Sequence, residues 1–168
     1  MYVEELKNKD FVRDCQLETD FEIMIPDQYI TNIGERLAIY RDLDNAESEE
    51  KLEELKEQLI DRFGEIPKST QELFSAIQLR WVAKNVGLEK LVLKQKKLIG
   101  YFIANQESPY YQSSKFTKVL TYIQENPHAC KMKERNDKLT LVFENVNNVS
   151  EAIGLLNPIV EKQVLDKV

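Results

Sequence analysis

The stretch Leu88-Glu89-Lys90-Leu91-Val92-Leu93-Lys94-Gln95-Lys96-Lys97-Leu98-Ile99-Gly100-Tyr101-Phe102-Ile103 decides the fold class. Two short apolar runs, 88–93 and 98–103, flank a polar insert at 94–97. Runs of that length, rich in branched and aromatic residues, read as strands, and the short polar insert reads as the turn of a hairpin. Upstream of Gly87 the apolar residues recur at helical spacing. The period therefore changes at this glycine.

Just before the hairpin, Leu73, Phe74, Ala76, Ile77, Leu79, Trp81, Val82, Ala83 and Val86 cover most of a helix circumference. A helix this apolar is expected to be buried, with Pro67 at its first position and Gly87 at its end. From about Glu47 to Phe63 a second helix carries Leu52, Leu55, Leu59 and Phe63 on one face. Glu50, Glu54, Glu57 and Asp61 fall on the other, and Gly64 stands where a left-handed C′ residue belongs. Before that, Asn32 with Glu35 reads as a capping-box variant opening a helix whose stripe is Ile33, Leu37 and Tyr40, with Leu43 close behind. Residues 15–25 alternate apolar and polar and are expected to form one strand, stopped by Pro26-Asp27.

Downstream, Ser108-Pro109 reads as an N-cap and N1 pair for a helix striped by Phe116, Val119, Leu120 and Ile123 and ended by Pro127. A second hairpin starts at Met132, turns at Asn136-Asp137 and alternates through Leu139, Leu141 and Phe143. Ser150 is expected to cap a final helix that Pro158 interrupts or restarts near Asn157. Strands arranged as hairpins between helices specify an α+β domain, with helices packed on a small antiparallel sheet.

Composition bounds the function. The chain has 168 residues, 42% hydrophobic and 31% charged, long enough for a core without disulfides. No apolar run is long enough to span a membrane. The start lacks a basic segment followed by an apolar one, and two cysteines make no disulfide framework, so the expected location is cytoplasmic. The glycines are never closer than thirteen residues, which excludes the dinucleotide fingerprint and the P-loop. With one histidine, His128, and two cysteines, a zinc site or a thiol–imidazole pair involving His128 and Cys130 lacks recognisable ligand spacing. A hydrolase built on His128 needs a cleft around it.

Charge is uneven. Residues 1–66 hold 8 Lys+Arg against 19 Asp+Glu, and residues 67–168 hold 15 against 10. The acidic stripe Glu50, Glu54, Glu57 and Asp61 reads either as a solvated helix face or as a docking face for a basic partner. The basic set is Lys90, Lys94, Lys96 and Lys97 with Lys131, Lys133, Arg135 and Lys138, near Tyr101, Phe102, Tyr110 and Tyr111. It reads either as edge-strand lysines that discourage aggregation or as a nucleic-acid patch, for which Lys94, Lys96, Lys97, Lys133 and Arg135 are the candidate residues.

The stretch Glu53-Glu54-Leu55-Lys56-Glu57-Gln58-Leu59-Ile60-Asp61-Arg62-Phe63-Gly64-Glu65-Ile66-Pro67 resembles the C-terminal domain of the bacterial transcription-repair coupling factor (Mfd) family. So do Arg36-Leu37-Ala38-Ile39-Tyr40 before it and Leu79-Arg80 through Gly87-Leu88-Glu89-Lys90-Leu91 after it. Ile25-Pro26-Asp27-Gln28-Tyr29-Ile30 matches the family's entry into this domain. The resemblance is strongest over 25–91 and looser to about 145.

It implies a parent that is an ATP-driven translocase on double-stranded DNA. Such a parent displaces stalled RNA polymerase and recruits nucleotide excision repair through a UvrB-like module that binds UvrA. The C-terminal domain would dock on that module and mask its UvrA-binding surface. Residues 1–24 would be a lead-in from the motor region plus the first strand, and 25–168 a single domain, monomeric as a fragment. ATP and Mg would belong to the parent's motor, leaving this fragment without a cofactor or catalysis. Charge and helix phase then make Glu54, Glu57, Gln58, Asp61 and Arg62 the expected docking residues. Phe63, Gly64 and Pro67 are assigned to structure. The alternative is a nucleic-acid-contacting accessory domain acting through the basic hairpins 90–103 and 130–144.

Overall fold

A computed structural model describes residues 11–165. Its elements are β1 (Gln16–Thr19), α1 (Ile33–Asn45), α2 (Glu49–Phe63), α3 (Lys68–Val86), β2 (Leu88–Lys94) and β3 (Lys97–Phe102). A 3-10 turn (Pro109–Gln112), α4 (Ser114–Glu125), β4 (Lys131–Arg135), β5 (Lys138–Glu144) and α5 (Val149–Leu165) complete it. This is the expected α+β class. The described residues divide into a helical unit, Phe21–Gln78, and a sheet unit made of 11–20 together with 79–165. The expected motor lead-in at the N-terminus lies largely outside the described residues.

In the helical unit, α1 and α2 are joined by a three-residue link. Asn32 caps α1, its side chain accepting the Glu35 N–H at 3.0 Å, and Ser48 caps α2 by accepting the Lys51 N–H at 3.2 Å. Ile39 and Leu43 of α1 and Leu52, Leu55 and Leu59 of α2 are buried. The expected α1 stripe is corrected: Ile33 is 66% and Leu37 52% exposed, and the buried face runs through Ile39 and Leu43. Pro67 precedes α3 rather than occupying its first position, and its carbonyl accepts the Gln71 N–H at 2.9 Å.

The strand expected over 15–25 is corrected too. Its alternation in exposure persists to Ile25, but the ladder ends at Thr19. β1 runs parallel to β2, and its last pair, Thr19 with Leu93, lies at the end of β2. Beyond it the chain makes other bonds. Met24 N–H donates to the Ser69 carbonyl, Thr70 Oγ1 donates to the Met24 carbonyl at 3.0 Å, and Ile25 N–H donates to the Tyr40 hydroxyl at 2.7 Å. Backbone groups satisfied by helix residues have none left for a strand partner.

The sheet unit is built on one five-stranded sheet in the order β1-β2-β3-β5-β4. Both expected hairpins are present and antiparallel, and β3 pairs antiparallel with β5. β1 adds the one parallel pair among the described residues. The two hairpin turns hold Gln95-Lys96 and Asn136-Asp137 at positive φ, the twist that matches flanking strands.

One face of the sheet is buried. Leu91, Leu93, Leu98, Phe102, Leu141 and Phe143 are each at most 3% exposed. Val119 of α4 and Ala152, Leu156 and Ile159 of α5 are buried as well. Burying a side chain of this size contributes about 1.5–3 kcal/mol. Three local expectations change here. Ser108 caps the 3-10 turn and Ser113 caps the separate helix α4, so the region is not one helix. Asn148, not Ser150, caps α5, accepting the Glu151 N–H at 2.8 Å. α5 also continues through Pro158. A proline inside a helix costs about 3 kcal/mol. Buried Leu156 and Ile159 on either side of it offset that cost.

Candidate interaction surfaces

The outer face of α2 is the first surface. Glu49 and Glu50 sit in its first turn, where carboxylates complement the helix dipole, and Arg62 sits in its last. Gly64 ends it at φ 88°, its N–H donating to the Ile60 carbonyl at 3.0 Å. The expected structural roles of this end hold in outline. Phe63 is half-buried against the Tyr29 ring at 5.9 Å, and the Tyr29 hydroxyl donates to the Gly64 carbonyl at 2.8 Å.

Glu54, Glu57, Gln58, Asp61 and Arg62 are all exposed, but they are not equivalent. Lys51 approaches Glu54 at 3.6 Å. Arg62 is bridged to Glu35 at 3.0 Å and lies over the Phe63 ring at 4.7 Å, so it ties the end of α2 to the start of α1. Glu57, Gln58 and Asp61 make no ion pair or hydrogen bond among the described residues.

Sequence reasoning missed the apolar part of this surface. Ile60, one turn on from Glu57, is 54% exposed, and Ile33 and Leu37 share an exposed face of α1. The signal was available in part, because Ile60 falls outside the Leu52, Leu55 and Leu59 stripe. The displaced face of α1 was not legible. The helical unit has 6 Lys+Arg against 14 Asp+Glu, a net of −8.

The second surface is the other face of the sheet. Register places Lys90 and Lys94 of β2, Lys97, Ile99 and Tyr101 of β3, Lys138, Thr140 and Val142 of β5, and Lys131, Lys133 and Arg135 of β4 on one side. Lys96 lies in the β2–β3 turn. Of the four aromatic residues singled out, only Tyr101 stands on this face. Phe102 and Tyr110 are buried, and Tyr111 is half-buried in the 3-10 turn with its hydroxyl donating to the Ile103 carbonyl.

Glu18 takes Lys90 at 3.1 Å and Lys94 at 3.7 Å, and Glu144 takes Lys97 at 3.4 Å. The Lys90 hydrogen bond and charge, helped by Lys94, hold the Glu18 carboxyl below its ordinary pKa. A groove of about 320 Å³ crosses β3, β5 and β4 on this face.

The remaining candidates separate. His128 is exposed in the turn before β4, whereas Cys130 is buried. No cluster of three or more metal-ligating side chains occurs among the described residues, and no described helix is long and apolar enough to cross a membrane.

Comparison with known proteins supplies the family context. The model of the TRCF domain matches residues 19–113. The chain is 29% identical over 149 residues to the transcription-repair-coupling factor of Buchnera aphidicola, covering 89% of this chain and 18% of that protein. It is 35% identical over 84 residues to the transcription-repair-coupling factor of Escherichia coli K12, covering 50% of this chain and 7% of that protein. The chain thus spans less than a fifth of either relative. A crystal structure of the C-terminal domain of transcription-repair coupling factor superposes with a TM-score of 0.70 at 22% identity, covering 91% of this chain and 92% of that one.

Proposed function

The chain belongs to the TRCF domain family, and from that premise we propose that it is the regulatory C-terminal domain of a factor coupling transcription to nucleotide excision repair. In this reading the parent is an ATP-driven double-stranded DNA translocase that acts on stalled RNA polymerase, with ATP and Mg bound in its motor. This domain docks on the parent's UvrB-like module and covers the surface that UvrA would use. The observation that carries the reading is the outer face of α2, where Glu57, Gln58 and Asp61 are unpaired beside an exposed Ile60.

An unpaired acidic pair, Glu57 and Asp61, with one exposed apolar side chain at its edge suits a basic partner surface. The charges supply specificity and association rate, and the apolar edge supplies area removed from water. A contact meant to open should be polar and moderate in size, as contacts between domains of one chain usually are. How firmly it inhibits follows from its differential affinity for the closed and open states. Arg62 is held by Glu35 and serves the edge of this surface rather than its centre.

The test is a titration of the chain against the separately produced UvrB-like module of the same factor, at low and moderate salt. Saturable binding that weakens with salt and is displaced by UvrA supports the reading. Glu57→Lys combined with Asp61→Lys should abolish that binding while leaving the thermal midpoint nearly unchanged. Absence of binding both with the separate module and with the module tethered by a flexible linker, which raises effective concentration, overturns it.

A further inference from the structure

We propose that the exposed face of the sheet across β3, β5 and β4 is a binding site for a single-stranded nucleic acid, with bases lying on Tyr101 and Ile99 and phosphates held by Lys131, Lys133, Arg135 and Lys138. Strand register brings these residues together. Tyr101 pairs with Thr140, Thr140 with Lys133, and Arg135 with Lys138, so all project from one side of adjacent strands. Half-buried Ile99 continues the floor beside half-buried Tyr101, while its partner Val142 and the neighbouring Thr140 are buried beneath the surrounding side chains at 7% and 5% exposure. The groove of about 320 Å³ runs along this floor with the cations at its rim.

Charge complementarity selects the occupant. The carboxylates of this face, Glu18 and Glu144, are taken by Lys90, Lys94 and Lys97. The four cations of the β4–β5 hairpin make no ion pair among the described residues. Of the hairpin's own acids, Asp137 stands in the turn, and Glu134, opposite Leu139 on the alternate register, lines the groove as one carboxylate beside the three cations Lys133, Arg135 and Lys138. Protection of an edge strand accounts for lysines on β4. It does not account for Lys138, which lies on an interior strand and makes no ion pair among the described residues. A flat aromatic and aliphatic floor between cations matches the face of an unpaired base and its backbone, whereas a duplex hides its base faces.

The probe is a fluorescein-labelled oligothymidine of about twelve nucleotides, titrated with the 168-residue chain and followed by anisotropy from about 50 to 200 mM salt. Four phosphate contacts give a slope of log affinity on log salt of about −3. Tyr101→Ala should weaken binding about tenfold without changing that slope, and Tyr101→Phe should retain binding because it keeps the stacking face. Lys133→Gln with Arg135→Gln should flatten the slope by about 1.4. Circular dichroism checks that each variant keeps its fold.

No anisotropy change at the lowest salt, with the chain folded, overturns the proposal. It is equally overturned if Tyr101→Phe and Tyr101→Ala bind alike and polyglutamate competes as well as oligothymidine. That outcome makes the face a docking surface for an acidic protein.

Discussion

The ring of Tyr110 fills the space where a side chain on Gly87 would stand. A Cβ at residue 87 would lie 2.2 Å from Tyr110 Cε1, and the backbone there has φ +109°. The Tyr110 hydroxyl donates to the carbonyl of Val86 at 2.5 Å, so the same ring closes the last turn of α3. Gly87 is thus held by two independent demands, a left-handed backbone and a ring in contact.

Gly64 supplies the comparison. It has φ +88° but nothing within 4 Å of its Cβ position. Gly64→Ala should cost about 1 kcal/mol from backbone conformation alone. Gly87→Ala should cost about 3 kcal/mol, because displacement of a packed ring is added. Urea denaturation of both variants checks this, and equal losses would show that the Tyr110 contact yields freely.

Arg80 joins α3 to the segment preceding β1. It donates through Nη2 to both carboxylate oxygens of Asp14 at 2.7 Å and through Nε to the Cys15 carbonyl at 3.0 Å. A planar guanidinium sets two nitrogens, Nε and Nη2, against the Cys15 carbonyl and the Asp14 carboxylate at once, and the single nitrogen of an ammonium cannot occupy both positions. Arg80→Lys should lower stability by about 1–2 kcal/mol, read by denaturant titration, although charge is conserved. An unchanged midpoint would mean that the fork geometry contributes nothing.

Both thiols should be inert in the native chain. Cys15 is 0% and Cys130 3% exposed. Burial pushes the Cys15 thiol up to about 12 and raises Cys130 as well. Since the thiolate is the reactive form, a disulfide reagent at pH 8 should titrate two thiols only after denaturation. Rapid reaction of either in the native chain would contradict the burial.

Glu18 gives a pH dependence of defined sign. Its folded pKa is lowered by Lys90 and Lys94, so its contribution is fully present above the ordinary value of 4.5 and is lost as pH falls through the folded value. Glu18→Gln should therefore lower the thermal midpoint at pH 7, with the gap closing as the pH falls below 4.5 and through the lowered folded value. A gap that widens on acidification would reverse the assignment.

Capping offers a local check. Asn32→Ala should cost about 1 kcal/mol, because the Glu35 N–H loses its acceptor. Asn148→Ala should behave likewise, whereas Ser150→Ala should be nearly neutral. Thermal unfolding of the three variants separates the cap identified from sequence spacing from the cap formed in the fold.

The α2 stripe, the hairpin turns and the Gly64 and Gly87 stops were legible because each depends on local periodicity or on a φ that few residues tolerate. The acidic outer face of α2 follows from the same helical phase, and Glu50, Glu54, Glu57 and Asp61 are exposed. The glycine spacing likewise excluded the common phosphate-cradling loops.

Tertiary structure decided what local pattern leaves degenerate. Alternation over 15–25 is compatible with a strand, but β1 stops at Thr19 because its partner strand ends and the following backbone bonds to helix residues. Ile33 and Leu37 repeat at helical spacing and yet face outward, because the buried side of α1 runs through Ile39 and Leu43. Pro158 stays inside α5 because residues on both sides of it are buried. The alignment of Tyr101 with the β4–β5 cations is also a product of register, since those residues are thirty or more positions apart in the chain. Periodicity determines that a face exists; pairing and packing determine which face is covered and what stands beside it.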